Sequence, residues 1–470
     1  MGQEIDSSRF DQADFARFGE RLDHELALLA GWFSEGRFSD LRAIGGLELE
    51  AWLVGRDGEP LAINEAFLAC AADPAIVPEL AQFNIELNVD PRSLAADGIR
   101  RLEEDLAKAC ERCARVADEM GVTVIAIGIL PSITDEALCP ANMSAMRRYA
   151  ALNEQVLRLR KGRPIRLDIV GREHLRTEHM DVMLEAAATS LQVHLQVPSD
   201  MATRYLNAAM ILSAPMVAVA ANSPILFGKM LWEETRIPLF EQAVDVGSPE
   251  RRVTFGSGYV RASLDECFVE NRAHHPVILP LALDEPAEQL AHLRLHNGTI
   301  WRWNRPLIGF DADGTPHLRV EHRVLPAGPT LIDMAANMAF FFGLAEWLVT
   351  EPHAPELRLP HADAKQNFYE AARLGLAAHV DWYDGERWSV ARLVQKVLLE
   401  QARKGLELLR VGSGDIDRYL AVIESRAASG ATGAAWQRSF VDKHGRDLRA
   451  LTCAYRDLSA AGEPVHRWKV

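Results

Sequence analysis

Four short segments place acidic, amide, imidazole and guanidinium side chains at every second position, opposite an apolar set. In Gly46-Leu-Glu-Leu-Glu-Ala-Trp-Leu-Val54 the polar residues are Glu48 and Glu50. In Phe83-Asn-Ile-Glu-Leu-Asn-Val-Asp90 they are Asn84, Glu86, Asn88 and Asp90. In Leu191-Gln-Val-His-Leu-Gln-Val197 they are Gln192, His194 and Gln196, and in Leu318-Arg-Val-Glu-His-Arg-Val324 they are Arg319, Glu321 and Arg323. Residues i and i+2 of a strand share a face and lie about 7 Å apart. One strand of this kind would show nothing beyond a solvated sheet face. Four together are different, because these faces carry no Lys or Thr, and repeated Glu opposes β propensity. Carboxylates gathered on one face repel and are driven toward protonation, and a divalent cation relieves that conflict. Oxygen donors with a single imidazole suit Mg²⁺ or Mn²⁺. Mg²⁺ keeps waters and completes its shell with substrate phosphate, which points to nucleotide chemistry. Arg319 and Arg323 can grip a carboxylate or phosphate through paired hydrogen bonds, or simply neutralise Glu321. His194 fits a ligand, a phosphate-orienting group or a hydrogen-bonded core histidine.

Helical spacing predicts helices over 11–35, ending near Gly36, and over 97–120, closed by Gly121. Further helices are expected over 145–160, 174–188, 201–221 and 230–245, and a strand over Val122–Ile129. Residues 250–316, with Gly256, Gly258, Gly298, Gly309 and Gly314, read as loop-rich, and from Leu331 onward the pattern is almost wholly helical. Strands and helices without a βαβ rhythm indicate an α+β fold with an antiparallel sheet. The expected division is an N-terminal helical segment (1–42), a catalytic core (43–349) and a helical C-terminal part packing on it (350–470). The join falls in the Pro- and His-rich stretch 350–365.

The 470 residues are 48% hydrophobic and 25% charged, the composition of a globular protein. A net charge of -15 argues against nucleic acid or anionic membrane as partner. The six cysteines are sparse and scattered, as in a reduced, cytoplasmic protein. Cys110 and Cys113 form a CxxC within a helical pattern and without a second pair, so they read as core thiols. The first residues show no signal peptide, and Asp6 stands where a myristoylated Gly2 would require Ser or Thr. The apolar run Ala208–Ala221 is too short to span a bilayer and contains Pro215, so it reads as a buried helix. Phe255-Gly-Ser-Gly-Tyr259 lacks the lysine of a phosphate-binding loop and reads as a turn. Ser257 has no visible His/Asp partnership, and His274-His275 shows no zinc spacing.

The four strands, with Ala221-Asn-Ser-Pro224 followed by Gly228 and Arg236, the Arg148-Tyr149 pair, and Leu325-Pro-Ala-Gly-Pro329 after the RxExR strand, resemble glutamate–cysteine ligase family 2. These are carboxylate–amine ligases of the glutamine-synthetase-like superfamily. The resemblance covers about residues 43–345. It implies a glutamine-synthetase-like antiparallel sheet with helices on one face and an active-site basin on the other. It further implies ATP and Mg²⁺ (or Mn²⁺) as cofactors, an acyl-phosphate route, and glutamate and cysteine as substrates. By that resemblance Glu48, Glu50, Glu86 and Glu321, with His194, hold the metal. Arg319 and Arg323 act in catalysis, Arg148, Tyr149 and Arg323 bind the amino acid, and Gln192, His194, Arg305 and Arg319 bind nucleotide. The partners implied are small-molecule amino acids, and a homo-oligomer is allowed. Ligation of another amine, phosphoryl transfer to a guanidino compound, and a regulator that binds without turnover are the competing readings.

Overall fold

Alternation in the four polar segments becomes one sheet in the computed structural model, which describes residues 10–248 and 251–470. The readings at Gly2 and Asp6 lie outside the described residues. The sheet strands are β1 (Ile44–Val54), β2 (Ile76–Pro78), β3 (Asn84–Ser93), β4 (Thr123–Ile125), β5 (Ser190–Val197), β6 (Asn304–Phe310) and β7 (Pro316–Pro326). Their order is β6-β7-β5-β1-β3-β2, with β4 paired to the end of β1 beyond β5, and every pairing is antiparallel.

Leu47, Leu49, Ala51 and Leu53 are at most 2% exposed, because three helices cover their side of the sheet. These are α1 (Gly98–Met120), α2 (Ala202–Ala220) and α3 (Leu331–Thr350). A Cβ on Gly45 would collide with Phe342 of α3, and His322 of β7 stacks on Phe341 at 4.1 Å. Asn304 of β6 donates to Ser213 Oγ of α2 at 2.8 Å. Helix α3 is long and apolar enough to cross a membrane, but 89% of its most apolar window is buried inside the protein. The C-terminal helix Leu399–Leu408 crosses α3 so closely that a Cβ on Gly405 would lie 1.8 Å from Gly343 O. Arg426, from helix Ser413–Ser429, donates to Asp333 and Asn337 of α3 at 2.7 Å each, tying the helical C-terminal part to the sheet layer.

Several expected elements hold. The first helix runs Gln12–Glu35, started by an Asp11/Asp14 capping box and stopped by Gly36 at φ 66°. The CxxC pair is two free thiols, each pushed up to about 12 by burial. Residues 174–188 do not form the expected helix. His174–His179 pairs with Ile165–Val170 as a hairpin, followed by the short 3₁₀ turn Met183–Ala187. The Ile165–Val170 strand alternates buried and exposed, a period-2 pattern that outweighs the helix-forming residues after it. The stretch 250–316 is less irregular than expected: it holds helices Asp265–His274 and Ala291–Gly298 and the outermost strand β6. Pro306 and Gly309 disguise β6, and an edge strand tolerates both because only one side needs a complete ladder. The Val122–Ile129 strand shrinks to Thr123–Ile125.

Candidate active site

Register, rather than sequence proximity, assembles the polar face. Glu48 lies opposite Asn88 and Gln192, Glu50 opposite Glu86, His194 opposite Glu321, Gln196 opposite Arg319, and Glu321 opposite Arg305. Two carboxylate-rich groups result. Glu48, His194 and Glu321 form one, and Glu50, Glu79 and Glu86 the other, each with donor atoms within 4.8 Å of one another. Asp90 falls at the bulge between Gly45/Leu47 and the facing strand and is exposed, outside both groups.

The first group is polarised by arginine. Arg305 forks onto Glu321, Nε to Oε2 at 2.8 Å and Nη2 to Oε1 at 2.9 Å, and Arg323 Nη1 lies 3.2 Å from Oε2. Burial raises the Glu321 carboxyl, but Arg305 and Arg323 outweigh it and hold the group well below the usual carboxylate range. His194 Nε2 sits 3.5 Å from Glu48 Oε1 and 3.9 Å from Glu321 Oε1, too long for hydrogen bonds. Neither ring nitrogen of His194 and not the buried Glu48 Oε2 has a hydrogen-bond partner among the described residues. Burial favours the neutral imidazole, so a lone pair is present without an acceptor role in the protein.

In the second group burial outweighs the relief that Arg323 and Arg236 give Glu50 and Arg148 gives Glu79. Burial, with Glu48 and Glu50 nearby, pushes Glu86 up to about 7. Burial also raises Glu50 and carries Glu79 well above its ordinary value, with Glu86 and Glu50 adding to the latter. Glu185 is pushed up to about 8 by burial and the Glu50 charge. Unpartnered buried donors in one group and crowded carboxylates in the other fit hard divalent cations, which would engage the free donor atoms of the first and neutralise the second.

The remaining expected residues line the same basin in different ways. Gln192 is a bridge, its amide donating to Glu50 Oε1 at 2.8 Å and its oxygen accepting from Arg323. Arg305 is 1% exposed and turned onto Glu321. Arg319 lies beside Glu48 and Glu321, and its Nε has no hydrogen-bond partner among the described residues. Arg148 packs over the Tyr149 ring at 4.5 Å and donates to its hydroxyl, which in turn donates to Pro78 O at 3.2 Å, next to Glu79. Glu79 and Glu185 were not visible in the pattern. Glu79 follows a three-residue edge strand too short to alternate, and Glu185 sits in a 3₁₀ turn with no period to read.

The Arg305–Glu321 pair gives a stability prediction. Arg305→Met leaves a buried carboxylate with only Arg323 beside it, and should cost about 3 kcal/mol or more. Arg305→Lys, a single point charge without the fork, should fall between the two. Urea unfolding of the three proteins measures the series, and equal midpoints would show that the pair contributes nothing net.

A one-sided antiparallel sheet thus gathers carboxylates, one imidazole and guanidiniums on its polar face, a set suited to divalent cations and anionic groups. The profile of glutamate–cysteine ligase family 2 (GCS2) matches residues 44–453, and the chain belongs to that family. The fold is similar to that of a glutamate–cysteine ligase from Francisella tularensis, solved with AMP: TM-score 0.53, 11% identity, 92% of this chain and 96% of that one. It is also similar to a bifunctional glutathione synthetase from Pasteurella multocida, with TM-score 0.55 and 12% identity, covering 93% of this chain but 54% of that one. No curated protein is significantly similar in sequence.

Proposed function

We propose that the protein is an ATP- and Mg²⁺-dependent ligase that joins the γ-carboxylate of glutamate to the amine of cysteine. The observation that carries this reading is the convergence of two acidic groups, one with unpartnered donor atoms and one of crowded, buried carboxylates, beside Arg319 and Arg323 on one sheet face. Glu48, His194 and Glu321, and Glu50, Glu79 and Glu86, would hold divalent ions, which would supply positive charge against nucleotide phosphate. Arg319, with its unspent donor, is suited to the phosphoryl group in transfer. Arg323, Arg148 and Tyr149 are suited to orienting the amino acid through its carboxylate. In the reaction a glutamate carboxylate oxygen bonds to the γ-phosphorus and ADP leaves. The amine then bonds to the acyl carbon, and inorganic phosphate leaves with loss of an amine proton. The family membership and the AMP-bound relative of like fold support nucleotide use. All six cysteines are free, which fits a cytoplasmic enzyme.

The test is a substrate panel: protein, Mg²⁺, ATP and glutamate, with cysteine, other amino acids, polyamines or aryl amines, followed by ADP and product mass. Cysteine-dependent ADP release with a dipeptide product is expected. ADP release with a different amine would replace cysteine in the reading, a phosphorylated guanidino product would replace ligation, and binding without turnover would make the protein a regulator.

A further inference from the structure

Strand β7 does not run evenly past β5. His322 faces Val193, but Leu325 faces Leu191, so one extra residue is accommodated at Arg323-Val324. A bulge of this kind interrupts the ladder and re-aims a side chain. Here it matters where Arg323 points, because its guanidinium reaches both Glu321 and Gln192 in the basin. The Arg323 N–H is satisfied by Trp303 O at 2.9 Å, but the bulge carbonyls need other donors. Arg236 supplies them: Nη1 donates to Arg323 O at 3.3 Å and Nη2 to Val324 O.

Arg236 is itself held from three sides. Its Nε lies 3.3 Å from Glu234 Oε1, and its guanidinium sits 5.4 Å from the centre of the Trp303 ring. Glu234 accepts from Asn222 N at 2.8 Å and from Ser223 Oγ at 2.6 Å. Both are buried, with the Nη donors of Arg236 spent on backbone carbonyls and the Glu234 oxygens on Asn222, Ser223 and Arg236. A buried ion pair is a poor source of stability on its own. This one ends on the two carbonyls of a bulge beside the site.

We propose that Arg236, anchored by Glu234, is a positioning residue: its planar fork holds the Arg323-Val324 bulge and thereby aims Arg323 at the bound carboxylate substrate. The proposal rests on the reading above that Arg323 binds that carboxylate. A lysine at 236 keeps the charge but cannot serve two carbonyls in fixed geometry.

The experiment is a double-mutant cycle read as glutamate affinity, by calorimetry with Mg²⁺ and a non-hydrolysable ATP analogue, on wild type, Arg236→Lys, Arg323→Lys and the double variant. If Arg236 acts through Arg323, each single variant weakens glutamate at least ten-fold and the double is no weaker than Arg323→Lys alone. Nucleotide affinity stays within two-fold throughout. Wild-type glutamate affinity in Arg236→Lys, or single effects that multiply in the double, would overturn the proposal. Glu234→Gln, which loosens the anchor and leaves Arg236 in place, takes the place of Arg236→Lys if that variant does not fold, with the same outcomes. If wild type binds another carboxylate from the panel and not glutamate, the substrate reading has failed, and the cycle is read with that carboxylate.

Discussion

Glu48→Ala is expected to give a folded protein that has lost on the order of a thousand-fold in turnover. The size follows from what the residue contributes: one charged oxygen pair in a group that must neutralise a transferring phosphoryl group, where each factor of ten is about 1.4 kcal/mol of barrier. The fold should survive because Glu48 holds no arginine in a close pair among the described residues and its side chain is 17% accessible. Its removal also relieves the repulsion felt by Glu86. Glu321 does not allow the same clean test. Alanine there would strand the guanidiniums of Arg305 and Arg323, at 1% and 5% exposure, at a cost of about 3–5 kcal/mol. Glu321→Gln, which keeps the volume and one acceptor, is the better second variant, and it should show both lost turnover and a lower unfolding midpoint. Steady-state ADP release with thermal unfolding measures both. Wild-type rates in Glu48→Ala would remove the metal assignment.

The second expectation concerns Mg²⁺, pH and stability. Glu86 titrates at about 7 in the fold against an ordinary value of 4.5, and Glu185 at about 8. Glu50 and Glu79 are shifted in the same direction by burial. The folded state therefore holds more protons than the unfolded one between these limits, and stability falls as pH rises from about 4.5 toward 8. For Glu86 alone the shift corresponds to about 3 kcal/mol, lost by the time pH exceeds the folded value. A divalent ion replaces those protons. Added Mg²⁺ should thus raise the unfolding temperature by several degrees at pH 8 and much less at pH 6, with proton release on binding at about pH 7. Thermal melts with Mg²⁺ or with EDTA at the two pH values, and calorimetry in buffers of different ionisation enthalpy, read this out. A Mg²⁺ effect equal at both pH values would show that the acidic groups are not where the ion binds.

Much of this basin was legible because β geometry converts spacing into direction. Glu48 and Glu50, Gln192 and His194, and Arg319, Glu321 and Arg323 share faces by period alone, and the sheet pairs them as that rule requires. The same rule failed where an element was too short or irregular to have a period, as at Glu79 beside Ile76–Pro78 and Glu185 in its 3₁₀ turn. It also failed at β6, where Pro306 and Gly309 broke the expected strand composition, so Arg305 could not be recognised as the residue facing Glu321.

Residue types and their alternation determined, without any coordinates, an acidic and guanidinium-bearing sheet face and an α+β fold, while the family came from the resemblance of motifs along the chain. Those are local properties, since a strand's two faces follow from its own backbone. Only the tertiary structure decided which carboxylates became partners. Strand order put Glu321 against His194 and Arg305, the bulge aimed Arg323, and burial left Glu86 short of charge while Glu321 acquired two arginines. Charge balance in a low-dielectric basin depends on neighbours brought from distant parts of the chain, and no local period encodes them.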